Sequence, residues 1–260
     1  MKQLSVVIVT WNQRNKLKDC LESIFNNKYQ NDYINNVEVI VVDNSSTDST
    51  LTMLENYNNK IQLIKNSFNR GVARARNQGI QFAKGKYIMM LDDDTEVLDD
   101  CFIKIINFMN ANKDCWCLGT KQLHPDGSLE FNARTFYDFM TILARRTPLG
   151  RILKNKVRKH LMIDWDHEST RIVDWVAGAS FVMRRKAIDA FGSFDENYFF
   201  GFEDTDWCYQ VKKHKKKVYY LHDAKIIHHI QGSSRKLFSK KAFSHLLSAI
   251  RFYKKNILFA

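Results

Sequence analysis

Within the first hundred residues, apolar β-branched runs stop abruptly at polar or acidic side chains. Residues 4–9 end at Thr10, residues 37–42 end at Asp43, and residues 86–91 run into Asp92, Asp93 and Asp94. Continuous apolar runs of this length read as strands buried on both faces, and such strands belong to parallel sheets. Between them the apolar residues recur at helical spacing. Leu17, Cys20, Leu21 and Ile24 form one set, and residues 72–83 and 101–109 form two more. A short strand is expected at 61–64, and residues 44–48 read as a turn whose Ser and Thr side chains cap the next helix. Strand and helix in alternation predict an α/β fold, a mainly parallel sheet flanked by helices. Ligands of such sheets gather at the carboxyl ends of the strands. Thr10, Asp43 and the Asp92-Asp93-Asp94 triplet therefore group as one site.

The second half is less regular. Residues 118–123 and 128–134 are expected to pair as a hairpin about Pro125-Asp126-Gly127. Residues 174–185 read as a strand, and 203–213 as a helix after the aromatic loop 198–202. Residues 217–221 and 224–228 read as two short strands, and 239–255 as a terminal helix. Neither an internal repeat nor a Gly/Ser linker is visible. The expected division is one large domain over 1–235, with halves at 1–115 and 116–235, followed by a basic amphipathic helix at 236–260.

Charge follows the same division. The 260 residues carry 40 Lys plus Arg and 28 Asp plus Glu, a net of +12. Residues 1–130 hold 15 basic and 16 acidic side chains, a net of −1, and residues 131–260 hold 25 and 12, a net of +13. The surplus implies an anionic partner: nucleic acid, phospholipid or a phosphorylated substrate. Hydrophobic content of 45% and only 2 prolines exclude disorder and collagen-like repeats. The apolar runs are too short to span a bilayer, and the N-terminal one reads as a strand rather than a signal peptide. The 5 cysteines include no CxxC pair, so reduced thiols of a cytoplasmic protein are expected rather than zinc ligands. Cys115 and Cys117 should face the same side of a strand.

Three groups of residues carry chemistry. Adjacent carboxylates at Asp92, Asp93 and Asp94 repel one another unless a cation or solvent relieves them. Hard oxygens suit Mg²⁺ or Mn²⁺, and a solvated acidic turn is the competing reading. Asn69-Arg70-Gly71 opens a helix that carries Arg74 and Arg76, which reach a phosphate or simply line a solvated face. Neither GxGxxG nor GxxxxGK[ST] occurs, so dinucleotide oxidoreductase and P-loop readings lose their usual support. Glu203-Asp204-Thr205-Asp206 starts a helix, where a carboxylate serves as a general base or merely balances the helix N-terminus. His228 and His229 end a strand, so only one of them can face the site, and a lone histidine is more often structural.

With these residues in place, the sequence resembles glycosyltransferase family 2, and within it the small bacterial rhamnosyltransferase-like enzymes of cell-surface polysaccharide synthesis. The pieces stand in order: Val6 to Asn12, Val41 to Ser46, Asn69 to Asn77, Leu91-Asp92-Asp93-Asp94, Gly178-Ala179-Ser180, Phe194-Asp195-Glu196, Phe199 to Asp206, and Ile226 to His229. The resemblance implies the GT-A fold and an inverting, metal-dependent transfer of one sugar, rhamnose being a candidate. Thr10 and Asp43 would hold the base and ribose of a nucleoside-diphosphate sugar, with Arg76, Asp92 and Asp93 at its diphosphate. Asp92 and Asp94 of the DxD motif, with His228, would hold Mn²⁺ or Mg²⁺. Trp175, Gly178, Ala179, Ser180 and Glu203 would lie beside the acceptor, and Asp204 would be the catalytic base.

Two departures qualify the resemblance. Many relatives carry Arg six residues after the base, where this chain has Gln210. The QxxRW motif of processive synthases is absent, so single transfer is expected. Residues 145–159 and 235–260 contain bases and no acids. They are expected either to dock on the anionic inner face of the membrane, where a lipid-diphosphate-linked acceptor resides, or to expose a solvated basic face. A nucleic-acid-binding protein lacks its usual module here. A sugar nucleotidyltransferase would carry a Gly-rich loop after the first strand, where Thr10-Trp11-Asn12 stands instead. A degenerate, non-catalytic relative is disfavoured by the joint presence of Asp92, Asp94 and Asp204.

Overall fold

The computed structural model describes residues 2–26, 36–98, 100–146, 152–198, 201–230 and 240–258. Its first half alternates as the apolar runs require: β1 (Leu4–Thr10), α1 (Arg14–Phe25), β2 (Val37–Asp43), α2 (Thr50–Leu54), β3 (Ile61–Lys65), α3 (Val72–Phe82), β4 (Tyr87–Asp92), β5 (Thr95–Val97) and α4 (Cys101–Ala111). The second half contains β6 (Cys115–Leu123), β7 (Leu129–Glu130), β8 (Ala133–Arg134), α5 (Phe139–Arg146), α6 (Lys154–His160), β9 (Arg171–Val173) and β10 (Trp175–Val176). It continues through β11 (Ser180–Arg184), α7 (Arg185–Phe191), α8 (Glu203–Lys213), β12 (Lys217–His228) and α9 (Lys240–Tyr253), which runs into a π-helical turn, Lys254–Leu258.

One large sheet runs in the order β3-β2-β1-β4-β11-β6-β12-β5. The first four strands are parallel, and their register sets Thr10 opposite Asp43 and Val9 opposite Asp92. β11 is antiparallel to both its neighbours, whereas β12 is parallel to β6. β5 follows β4 almost directly in sequence yet pairs with β12. In a flat sheet the four spacings from β4 to β5 would cover about 19 Å. The link from Asp92 to Thr95 reaches only about 11 Å. The sheet must therefore curl, and the curl carries the end of β12 to the acidic end of β4.

Each face of the sheet has its own apolar core. One packs Leu17, Cys20, Leu21 and Ile24 of α1 and Phe102, Ile105 and Met109 of α4 onto Leu4, Val6 and Ile8. The other packs Ala73 and Ile80 of α3, Trp207, Cys208 and Val211 of α8 and Phe252 of α9 onto Val7, Ile40 and Met90. Burial of these side chains is the main favourable contribution to the fold.

Four expectations for the second half change. Residues 174–185 are not one strand: β10 pairs with β8 in a separate two-stranded sheet, and the chain bends at Ala177–Ala179 before β11. The hairpin about Pro125 keeps only β7 on β6, because Ala133 and Arg134 are taken by β10. Residues 217–228 form a single strand with an irregularity between Leu221 and Lys225. Cys115 and Cys117 face opposite cores, because the β6–β12 register slips at Trp116: Lys217 sits opposite Cys115 and Val218 opposite Cys117. An inserted residue in a ladder reverses the alternation of faces. All 5 cysteines are buried and free.

Candidate active site

The loops after β1 and β2 are stitched together. The backbone N–H of Asn12 donates to Ser46 Oγ at 2.9 Å, and Asn12 Oδ1 accepts from the Thr47 N–H at 2.7 Å. Behind them Asn44 Nδ2 donates to Asn69 Oδ1 at 3.0 Å, while Asn44 Oδ1 accepts from Asn66 and from the Arg70 N–H. Gly71, with φ of 82°, makes the turn into α3, a conformation that L side chains resist. Thr10 and Asp43 are each 1% exposed at the floor of this pair of loops. Asp43 Oδ2 accepts from the Ser46 N–H at 3.1 Å, but Asp43 Oδ1 is buried with no hydrogen bond among the described residues. A buried acceptor left unpaired is costly. A ligand hydroxyl or base N–H would satisfy it.

The curl of the sheet assembles a second cluster. Ligand atoms of Asp92, Asp94 and His228 lie within 4.8 Å of one another. His228 Nε2 is 3.2 Å from Asp94 Oδ1, and its Nδ1 is 2.8 Å from Glu130 Oε2. Lys16 Nζ lies 3.4 Å from Asp94 Oδ2 and donates to the His229 carbonyl at 2.9 Å. His229 itself pairs with Glu96 instead. Burial alone would lower the His228 pKa, but hydrogen bonds to Asp94 and Glu130 outweigh it and raise it to about 10. Burial would raise Asp94, and His228 and Lys16 hold it below the ordinary value. Asp93 is pushed up to about 7 by burial, with Asp94 and Asp92 adding to it. Two carboxylates and an imidazole on one spot suit a divalent ion of the Mn²⁺ or Mg²⁺ class. Glu130 on the far ring nitrogen provides the outer hydrogen bond that orients a ligating histidine. The residues present therefore fit a metal.

The third cluster joins the second to the start of α8. Arg76 is buried, and its guanidinium donates to Asp92 Oδ1 at 2.8 Å, Glu203 Oε1 at 3.1 Å and the Gly178 carbonyl at 3.2 Å. Burial would lower its pKa, and Asp92 and Glu203 raise it. Asp204 Oδ2 accepts from the Gly178 N–H at 3.0 Å, and Oδ1 from the Thr205 N–H at 2.7 Å. Burial pushes the Asp204 carboxyl up, and it pushes Glu203 up to about 7 with Asp204 adding to the shift. Glu203 Oε2 is buried and unpaired among the described residues. Gly178 sits between these groups so tightly that a Cβ there would stand 2.9 Å from Arg76 Nη1 and 3.4 Å from Asp204 Oδ2.

The structure thus gathers Asp92, Asp94 and His228, and separately Arg76, Gly178, Glu203 and Asp204, with Asp92 in both groups. Arg76 reaches protein acceptors throughout. Ala179 supports Asp92 through its carbonyl, which accepts the Asp92 N–H at 3.0 Å. Ser180 is fully buried in β11, where its Oγ meets Thr120 Oγ1 at 2.8 Å. Trp175 is 4% exposed, donates its indole N–H to the Thr135 carbonyl and packs on Tyr137. Both are therefore buried wall rather than exposed surface, and neither presents a side chain to a ligand. Phe199 and Phe200 of the aromatic loop lie outside the described residues. Lys16 and Glu130 were not singled out by sequence. Nothing in a solvated helix face or a hairpin end marks them, and only the curl brings them to Asp94 and His228.

A family model described as Glycosyl transferase family 2 matches residues 5–190. The Escherichia coli protein named UDP-Glc:alpha-D-GlcNAc-diphosphoundecaprenol beta-1,3-glucosyltransferase WfaP is 32% identical over 114 residues, 44% of this chain and 43% of that protein. The matching segment spans less than half of WfaP and of two further bacterial relatives. The dTDP-rhamnosyl transferase RfbF of Shigella flexneri is 26% identical over 234 residues, 89% of this chain and 70% of that protein. Among solved structures, the mannosyltransferase PcManGT from Pyrobaculum calidifontis, in complex with GDP-Man and Mn²⁺, superposes with a TM-score of 0.67. That match has 16% identity and covers 99% of this chain and 65% of the other. The superposition shows the GT-A fold, and the family match over most of the chain shows that it belongs to glycosyltransferase family 2.

Proposed function

We propose that the chain transfers a single sugar from a nucleoside-diphosphate donor to a hydroxyl of a glycan or lipid-diphosphate-linked acceptor, inverting the anomeric carbon, in the synthesis of bacterial cell-surface polysaccharide. The observation that carries this reading is the bridge at Arg76. It ties the acidic end of β4 to a buried carboxylate pair, Glu203 and Asp204, whose proton affinity is raised.

In this reading the unpaired Asp43 Oδ1, beside Thr10, takes a donor of the ribose or base. Asp92, Asp94 and His228 hold Mn²⁺ or Mg²⁺, with Asp93 next to them at the diphosphate. The ion supplies positive charge against the departing diphosphate. Asp204, held by two backbone N–H groups, removes the proton from the acceptor hydroxyl as that oxygen attacks the anomeric carbon. The bond to the diphosphate oxygen breaks as the new bond forms, so no covalent sugar–enzyme intermediate is required. Arg76 holds Glu203 and Asp92 at fixed separation, which keeps donor and base in one geometry.

A relative that this chain matches over most of its length carries dTDP-rhamnosyl in its name, which makes dTDP-rhamnose the first donor to test and UDP-glucose the second. Among the described residues no helix is long and apolar enough to cross a membrane. Peripheral docking on the inner face is the reading that brings a lipid-linked acceptor to Asp204. A thermal-shift screen of nucleotide sugars with Mn²⁺, followed by product analysis, tests the proposal. One donor should raise the melting temperature in an EDTA-sensitive way and yield free nucleoside diphosphate with acceptor. Pyrophosphate release, or transfer indifferent to EDTA, would contradict it.

A further inference from the structure

The turn that aims Asp204 is not self-supporting. Phe202, the residue before α8, has φ of 73° and Gly201 has φ of 75°. A bulky side chain in the left-handed region is strained and persists only when its surroundings hold it there. Tyr137 packs on one side of the Phe202 ring at 5.1 Å between centroids, and the rest of the aromatic packing comes from the C-terminus. His245 and Phe252 of α9 pack on the Phe202 ring at 4.9 and 5.7 Å between centroids. A Cβ on Gly201 would stand 2.8 Å from the His245 ring.

One turn later the polar contacts repeat the pattern. Asp206 is 3% exposed, and its carboxylate is met by Lys255 Nζ at 2.8 Å and Asn256 Nδ2 at 2.5 Å. Lys255 also reaches Asp195 at 3.0 Å. Asp195 precedes the turn into α8 and Asp206 lies in the first turn of that helix, so the Lys255 ammonium ties the two sides of the turn together, with Arg251 adding a contact to Asp195 at 3.4 Å. Gln210, where the family pattern led us to expect Arg, donates its Nε2 to Asn256 Oδ1 at 3.1 Å, and Tyr209 Oη donates to the Asn256 carbonyl at 3.1 Å. All of these C-terminal residues lie beyond the family match, which ends at residue 190.

We infer that the segment from Lys240 to Leu258 is a clamp on the catalytic turn, and that Lys255 is a positioning residue for Asp204, acting through Asp195 and Asp206. The inference rests on the reading of Asp204 as the base. The Lys255 side chain is 38% exposed, so shortening its charge leaves no core cavity. A buried carboxylate that loses its cation is instead left uncompensated, and the turn before it is freed.

The test compares the full-length chain with Lys255→Met, Lys255→Arg and Lys255→Met/Asp206→Asn. The double variant removes the Lys255–Asp206 pair without stranding the buried Asp206 charge, while Arg251 still faces Asp195, and is read in place of Lys255→Met if that variant does not fold. Steady-state transfer is measured with the donor found above. Backbone hydrogen exchange is followed across the chain without ligand. The clamp predicts that Lys255→Met lowers kcat by about tenfold or more while the donor KM stays within about twofold. It predicts exchange at residues 202–206 faster by about tenfold, with β1 to β4 unaltered. Lys255→Arg should restore both readouts. Unchanged exchange at 202–206, exchange raised throughout the chain, or failure of Arg to restore would overturn the clamp. Full turnover by Asp204→Asn would overturn the base reading instead, and the exchange readout would still decide the clamp.

Discussion

Gly178 shows how little room the cluster around Arg76 leaves. Its N–H holds Asp204 and its carbonyl holds Arg76, and the Arg76 guanidinium crowds the place where a Cβ would stand. Gly178→Ala should therefore displace Arg76, and with it the Asp92 and Glu203 carboxylates it holds, by a fraction of an ångström while leaving the sheet intact. Misplacement on that scale costs about tenfold to a hundredfold in kcat. Steady-state kinetics with a circular dichroism control would check this, and full activity would show that the contact yields freely. The proton chemistry is also set at this scale. Burial raises both Glu203 and Asp204, Glu203 to about 7. A base works only when ionised, so a raised pKa means that activity is lost as pH falls through it. The two carboxyls titrate as a pair. The acid limb of kcat/KM should then lie well above 4.5, the ordinary glutamate value. A profile flat down to pH 4.5 would remove the pair from the rate equation.

The elements differ in how openly the sequence announced them. β1, β2 and β4 were legible with their ends, because a strand buried on both faces is nearly all apolar until it leaves the core, with the paired Ser5 and Glu38 near the strand starts as the exceptions. Thr10, Asp43 and Asp92 therefore stood out in the sequence as strand ends, where the structure places them. His228 stood out at a strand end beside His229, but its role as a ligand came only from the resemblance, and its partner Glu130 lies 98 residues away on a two-residue strand. No local pattern encodes that pairing. It follows from the curl, which depends on the short link between β4 and β5. The broken run through β10 and β11 misled for a similar reason, since its apolar residues serve two sheets. The hairpin carrying β7 thus has a definite task, to hold Glu130 against His228 Nδ1. Glu130→Gln should weaken Mn²⁺ binding by about tenfold to a hundredfold, as loss of an orienting outer ligand generally does. Titration with Mn²⁺ would measure it, and unchanged affinity would separate the hairpin from the metal.

Over the whole molecule the charge asymmetry takes on a shape. In the proposed reading the acidic triplet and its neighbours face the donor, and the surplus cations lie around α6, the end of α8 and α9. Part of that surplus is neutralised locally, as in Lys156–Asp138 and Arg158–Asp164. α9 turns Ser248, Ala249 and Phe252 inward and leaves Leu247, Ile250, Arg251 and Lys254 exposed. The helix both packs on the core and presents an apolar pair flanked by cations, so the two readings of the basic terminus are not exclusive. Arg145, Arg146, Arg151, Arg235 and Lys236 fall where side chains are outside the described residues. We expect the chain to sediment with anionic vesicles and not with neutral ones, and Leu247→Glu/Ile250→Glu to abolish this without loss of transfer to a soluble acceptor. Sedimentation with neither kind of vesicle would leave α9 a purely internal support.

The central claim is that Asp204 is the base of a single-displacement transfer assembled on a nucleotide-sugar and metal site. The most direct measurement is Asp204→Asn, assayed for transfer and, on the same preparation, for donor-induced thermal stabilisation with Mn²⁺. Asparagine keeps the shape and one oxygen, which can accept from the Gly178 or the Thr205 N–H but not from both, and it cannot take a proton. The account predicts normal donor stabilisation and a loss of transfer of about 10²- to 10⁴-fold, the usual contribution of a general base. Transfer within a few-fold of the unaltered chain would contradict it.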